Sequence, residues 1–552
     1  MSNEIDFSSQ YSYVVRVQHD DLGDLGEATL SFGVEHWPHV LFENSSSYTR
    51  LQENKKHPRL RATTKDGKTF TLFDCVVVGF SLAIDYVVAG DVAEFNRIGI
   101  RFNDINEWFM PFRSIEEKIA PRASKVNKDK HICVEIKTGE QAFKLSTETI
   151  LHIAKSGEDH VVHEHVLFSF ERFDGFFSPR DIREKCHELS TLLSILIARP
   201  LYLVNVQVVS DDGRVYPVFF SSFKKREQDL PARYWAEYFV TKSSLDGRWQ
   251  NVFENYYNSE YREVSWVRLA GMQRYEGFWE YRALGYVSLL DKYVSQRSKG
   301  LKRKPSKAED MKYAKVHADL KNISPQLAEG QEREVFSVIE KHFLGGGGRL
   351  FFRDKYDYVV GAMDAGILSI INMSSEDFEK IKGIRDAVAH GDAPDLVEAD
   401  YGRVGVIVSK IALMLTYWAF IDFGLTDDDF LGGLNSHSKL RLRADIDRVQ
   451  LLRVTKEGGF FSVSKEQFDR LSEIKAIGVQ ACFTCFGDGR IEYAEHHVAA
   501  LKAWQKKRIS GVVPVAEIFA QSIEKIKCYG EAFIECGDER LELIQAYFIE
   551  GA

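Results

Sequence analysis

The sequence predicts an α+β chain of several domains: β-rich modules at the N-terminus, then an all-α helical bundle, then a small α/β region at the C-terminus. Three observations predict it. At 552 residues the chain exceeds what one hydrophobic core can hold. Short β-branched and aromatic runs separated by turn residues fill the first part. From about residue 230 the apolar spacing changes to that of helices. The boundaries that follow are 1–115 and 116–245 for two β-rich modules, 246–426 for the bundle, and 427–552 for the tail.

In the first module, Tyr11–Val17 is rich in strand formers and Ala28–Phe32 alternates. Asp66-Gly67 is a tight-turn pair between Leu60–Thr64 and Thr69–Phe73. Further apolar runs at Cys75–Val78 and Ile98–Phe102 point to a small sandwich or open barrel. The second module shows strands at His131–Ile136, His165–Phe170, Leu201–Val209 and Val215–Phe220, the last two turned by Asp211–Arg214. One helix interrupts them. Ser178 caps it, Pro179 opens it, and Leu189, Leu192, Leu193 and Leu196 form its apolar stripe.

The bundle begins with aromatic-rich Trp249–Val264 and amphipathic Phe278–Val294. Glu332–Phe343 is another helix, Gly345–Gly348 a loop, and Asp354–Ile371 a further helix. Ser374–Pro394 then reads as one short helix with both ends marked. Ser374 is an N-cap with Asp377 three residues on, Glu376 and Asp377 complement the helix dipole, and Gly391 and Pro394 end the helix. Phe378, Ile381, Ile384 and Val388 give it an inward face. Val404–Ile421 is nearly long enough to span a bilayer, but Ser409 and Lys410 near its middle make a buried last bundle helix the better reading. In the tail, Asp427–Asp429 and Gly432-Gly433 mark a joint. Val479–Phe486 is a strand that turns through Gly487–Gly489 into Arg490–Tyr493, with a helix at about 495–507 and a further stretch Val515–Lys527.

The Ser374–Pro394 helix carries Arg385, Asp386 and His390. This pattern resembles the signature of HEPN ribonucleases: an Arg, a polar residue, three more residues, then His. A bundle with that motif on its next-to-last helix is similar to a HEPN domain. Asp66–Cys75 (DGKTFTLFDC), followed by Asn106–Phe109 (NEWF), resembles the N-terminal domain of ApeA-type anti-phage HEPN proteins. The resemblance implies a metal-independent endoribonuclease of an abortive-infection system, with no cofactor. Its target is host or phage RNA, tRNA foremost, and its trigger is an unknown phage product. The N-terminal modules would sense infection or restrain the nuclease, and the bundle would form a homodimer.

The residue types suit that chemistry. RNA supplies its own nucleophile, the 2′-hydroxyl. His390 can move protons near neutral pH, and Arg385 can hold the phosphate oxygens as charge builds. Asp386, four residues before His390, can orient the imidazole. On a straight helix Arg385 and His390 point roughly 140° apart. They converge only if the helix end unwinds near Gly391 or a second copy packs against the first. The competing reading is a non-enzymatic dimerisation or RNA-binding scaffold, or one component of a toxin–antitoxin pair.

The net charge of −9 confines any RNA site to a local basic patch. Arg297, Lys299, Lys302, Arg303, Lys304 and Lys307 form one such run, either a phosphate-tracking strip or a solvated linker. Cys482-x-x-Cys485 is either a pair of buried free thiols or half of a zinc site. Seven scattered cysteines and a polar N-terminus fit a cytoplasmic protein. The motifs of P-loop nucleotide hydrolysis, zinc proteolysis and serine hydrolysis are absent.

Overall fold

Alternating burial sets the first half of the chain. In the computed structural model, twelve strands among the described residues hydrogen-bond into one sheet. They are β1 Gln10–His19, β2 Gly23–Gly33, β3 His36–Phe42, β4 Lys56–Thr64, β5 Thr69–Val78, β6 Ser81–Val88, β7 Arg97–Phe102, β8 Cys133–Thr138, β9 Gln141–Ser156, β10 Asp159–Arg172, β11 Leu203–Val209 and β12 Val215–Phe219. The structure describes residues 5–34, 36–52, 55–109, 132–138, 141–156, 159–222, 238–301, 350–392, 394–474, 477–506 and 515–551, with isolated positions between 311 and 338. The chain divides into two units, Met1–Met363 with Met373–Ala444, and Asp364–Asn372 with Asp445–Ala552.

The sheet order in the first unit is β3-β2-β1-β4-β5-β6-β12-β11-β7-β10-β9-β8. β3 also pairs with β6, His39 opposite Ala83 and Val40 opposite Leu82, so β1 to β6 close into an antiparallel barrel. Closure removes the exposed edges that an open sheet would present. Inward-facing Val15, Val17, Leu30, Val40, Leu60, Leu72 and Leu82 fill the barrel. The Asp66-Gly67 turn joins β4 to β5. Gly67 has φ +85°, and Thr64 N–H donates to the Lys68 carbonyl at 2.9 Å.

The sequence reading places a module boundary near residue 115, but the sheet runs across it. β12 pairs with β6, Val218 opposite Val88, and β7 lies between β11 and β10. Period-two alternation identifies a strand and its buried face. It carries no information about which distant strand completes the hydrogen bonds.

Helix α1, Pro179–Ile197, has the expected start. Ser178 N–H donates to Asp181 Oδ2 at 2.7 Å, Asp181 N–H donates back to Ser178 Oγ, and Pro179 stands in the first turn. Its leucine stripe is fully buried. The bundle helices are α2 Trp249–Asn258, α3 Val267–Arg274, α4 Trp279–Arg297, α5 Phe352–Val360, α6 Ser375–His390, α7 Tyr401–Asp422, α8 Asp427–Ser436 and α9 Ser438–Arg443. The sheet and bundle meet through α1 and α2. Tyr256 Oη donates to the Glu188 carbonyl at 2.9 Å, and Gln250 Nε2 donates to the Glu135 carbonyl at 2.7 Å.

Helices α4 and α7 run side by side in the same direction. Trp279 meets Tyr401 at 5.8 Å near one end, and Tyr293 stacks on Trp418 at 4.8 Å near the other. Among the described residues, the helical stretch Glu398–Asp422 is long and apolar enough to cross a membrane, and most of it is buried inside the bundle. It is a core helix. Lys410 sits 3.5 Å from Asp377, so the charge in its middle is neutralised inside the bundle.

Two boundaries differ from the sequence reading. Gly432 and Gly433 lie inside α8 rather than at a joint. A Cβ on Gly433 would stand 2.5 Å from the Phe239 carbonyl oxygen, so glycine there permits close packing. The division between units falls after Ala444 instead. The single helix expected over Asp354–Ile371 is two. α5 ends at Val360, and Ala365–Ile371 starts anew with Asp364 capping Ile367 N–H at 3.0 Å. That second piece belongs to the other unit. The expected Glu332–Phe343 helix lies almost wholly outside the described residues, and the Gly345–Gly348 loop entirely so.

The second unit is built on a five-stranded sheet of β13 Gly459–Ser462, β14 Cys482–Cys485, β15 Ile491–Tyr493, β16 Ile526–Cys536 and β17 Glu539–Glu550, in the order β13-β16-β17-β14-β15. The Gly489 turn and the Glu495–Lys506 helix stand where the sequence reading puts them. The long β16–β17 hairpin is not among its strands. Val515–Lys527 holds a short helix, Val515–Phe519, and a 3-10 turn, Ile523–Lys525, before β16 begins at Ile526. Charged residues break the alternation of β16 and β17, and this hides them from a periodicity argument.

Candidate active site

α6 has the ends that its sequence specifies. Asp377 N–H donates to Ser374 Oγ at 3.0 Å, and Ser374 N–H donates back to Asp377 Oδ2 at 3.3 Å. Gly391 closes the helix in the left-handed conformation, φ +79°, which a side chain would disfavour. Phe378, Ile381 and Ile384 are buried, but Val388, expected to point inward, is 40% exposed. The last turn therefore projects from the bundle, carrying Val388, Ala389 and His390 on its surface.

Arg385 is held from two sides. Its Nε donates to Asp291 Oδ2 at 3.1 Å and its Nη1 to Asp386 Oδ1 at 3.0 Å. Its guanidinium lies 5.7 Å from the centre of the Phe352 ring. Asp291, on α4, also accepts Ser295 Oγ at 3.3 Å, and Ser295 Oγ accepts Lys355 Nζ at 2.9 Å. Partial burial works against the charge on Arg385, but Asp386 and Asp291 outweigh it and hold the pKa above that of an ordinary arginine. The side chain keeps about a third of its surface open, and Nη2 makes no hydrogen bond among the described residues. An anion can reach that edge.

Asp386 therefore does something other than expected. It is bound to Arg385, and no hydrogen bond links it to His390 among the described residues. The reason is geometric: the guanidinium beside it offers a fixed, charged fork, while His390 sits one turn away at an exposed helix end. Because α6 stays helical through His390, Arg385 and His390 face different ways within one chain. The helix end does not unwind to bring them together.

Of the basic run, Arg297 ends α4 with Nη1 3.5 Å from Tyr261 Oη, and Lys299 follows it. Lys302, Arg303, Lys304 and Lys307 lie outside the described residues. Cys482 and Cys485 fall on opposite sides of the second-unit sheet. Cys482 packs with Ala494, Val498 and Phe519, and Cys485 with Phe468 and Leu471. Burial pushes the Cys482 thiol up to about 12. The two sulfurs cannot serve one metal from opposite faces. Among the described residues no group of three or more His, Cys, Asp or Glu could hold a metal ion.

Sequence reasoning missed Asp291, Ser295, Lys355 and Phe352. Asp291 left one signal, a lone carboxylate within the apolar run Tyr286–Val294.

Residues 26–256 match the family model described as ApeA N-terminal domain 1. This part of the chain is similar to ApeA. The matched span takes in most of the barrel, the rest of the sheet, α1 and nearly all of α2. It supports a place among ApeA-like anti-phage defence proteins. The match ends before α3, so the bundle and the motif helix α6 lie beyond it. Comparison with curated proteins and with solved structures returns no match.

Proposed function

We propose that this protein is an anti-phage defence endoribonuclease of the HEPN type. It cuts RNA, with tRNA the first candidate, by attack of the 2′-hydroxyl without a metal. The observation that carries the reading is Arg385: a guanidinium fixed by Asp291 at 3.1 Å and Asp386 at 3.0 Å, with one edge open, five residues before an exposed His390.

The step proposed is an in-line displacement. His390 takes the 2′-hydroxyl proton, the 2′-oxygen bonds to phosphorus, and the P–O5′ bond breaks. The leaving 5′-oxygen takes a proton from an acid at the site. The products are a 2′,3′-cyclic phosphate and a 5′-hydroxyl. Arg385 stabilises the charge that builds on the non-bridging oxygens. Since one chain points Arg385 and His390 apart, each site combines Arg385 of one protomer with His390 of another across a two-fold axis. The exposed Val388 and Ala389 beside His390 suit an interface there. The N-terminal sheet shares one unit with the bundle, which suits it to sense infection and restrain the nuclease.

One observation favours the rival reading of a non-catalytic scaffold: His390 has no hydrogen-bond partner among the described residues to orient it. Cleavage of a tRNA mixture by wild type and by His390→Ala, with and without EDTA, decides between them. The proposal expects cutting by wild type in EDTA and none by His390→Ala. Equal cutting by both proteins, or cutting that vanishes with chelator and returns with Mg²⁺, would overturn it.

A further inference from the structure

A second feature of the bundle lies at the other end of α4. Between the start of α4 and the first half of α7 opens a cleft of about 510 Å³. Trp279 and Tyr401 form aromatic walls, their rings 5.8 Å apart and perpendicular, with Tyr401 61% exposed. Arg282 and Arg443 line it as well. Neither guanidinium pairs with a carboxylate among the described residues, and Arg282 Nε is buried without a hydrogen-bond partner there. Among the described residues the lining carries a single acid, Glu276.

The floor is α7 itself. Gly402 and Gly405, three residues apart on one face, leave the backbone bare, and a Cβ at either position would meet nothing within 4 Å. These glycines are not there to admit a neighbouring helix. They leave open space in which a flat ring can lie against the helix, beside aromatic walls and two unneutralised cations. That combination is the chemistry of a base and its phosphate: stacking on an aromatic face, and charge-assisted hydrogen bonds from arginine to phosphate oxygens.

We propose that this cleft binds a nucleotide, free or within a strand, with its base on the Gly402–Gly405 floor beside the Trp279–Tyr401 pair and its phosphate on Arg282 and Arg443. The site is separate from Arg385. Arg282 and Asp291 stand nine residues apart on α4, about 13 Å along the helix. The inference does not rest on cleavage, and a protein unable to cut RNA would keep the cleft.

The test uses the full chain carrying His390→Ala, so that no probe is consumed. ATP and a short oligoadenylate are titrated in EDTA, following Trp fluorescence and probe anisotropy. Saturable binding of either probe is expected, weakened about tenfold or more by Tyr401→Ala and by Arg443→Glu. Both substitutions are at exposed positions and should leave the fold intact. Binding of ATP identifies a free nucleotide as sufficient, and binding of the oligoadenylate alone identifies a strand. No saturable binding of either probe at millimolar concentration overturns the proposal, as does binding that both variants leave unchanged.

Discussion

Asp291→Ala tests whether the carboxylates around Arg385 position it for chemistry. Asp291 supplies one of two charge-assisted hydrogen bonds to the guanidinium, at 3.1 Å, and Asp386 supplies the other at 3.0 Å. A buried bond to a charged group is worth about 1.5–3 kcal/mol. Here both partners keep a quarter to a third of their side-chain surface in solvent, so screening reduces the figure to about 1 kcal/mol. At 1.36 kcal/mol per tenfold in rate, a loosened Arg385 should lower kcat about fivefold, with little change in KM. Arg385→Ala removes the stabilising charge altogether and should cost about a hundredfold or more. Asp386→Ala should resemble Asp291→Ala, and the double variant should fall short of the product of the two because they share one partner. Single-turnover cleavage of a labelled RNA measures all four. Faster cutting by Asp291→Ala would refute the reasoning, because the carboxylates would then be holding Arg385 away from the phosphate.

Mixing Arg385→Ala and His390→Ala chains should restore part of the cutting, since some mixed dimers regain one complete site; separation of the mixture by sedimentation with activity in the monomer fraction would count against this. Asp422 is half-buried, accepting Trp266 Nε1 at 2.6 Å and Ser259 Oγ at 2.5 Å, and desolvation raises its pKa despite those bonds. Its raised folded pKa gives stability that is full below the unfolded value of about 3.8 and is lost as pH rises through the folded value. Asp422→Asn keeps an acceptor and removes that loss, so its melting temperature should exceed wild type at neutral pH and not at pH near 3. Gly433→Val should destabilise the bundle by about 1–3 kcal/mol in a urea titration, because the added side chain meets the Phe239 backbone.

The ends of α1 and α6 were legible because caps act locally. Ser178, Pro179, Asp181, Ser374, Asp377 and Gly391 satisfy or close the backbone within one turn, so their spacing in the sequence is their geometry in space. The same holds for the Asp66-Gly67 turn and for the period-two strands of the barrel. The sequence by itself determined the capped helices, the barrel strands on either side of the Asp66-Gly67 turn and which residue types could do chemistry, but neither the β16–β17 hairpin nor the break after Val360. Only the tertiary structure decided that β12 joins β6 and makes one sheet of the strands on either side of residue 115. It alone decided that Asp386 turns to Arg385 and leaves His390 bare, and that Asp291, from a helix ninety-four residues away, holds the same guanidinium. Partners of that kind are set by which surfaces fold against each other, and a hydrogen bond across such a gap leaves no period in the chain.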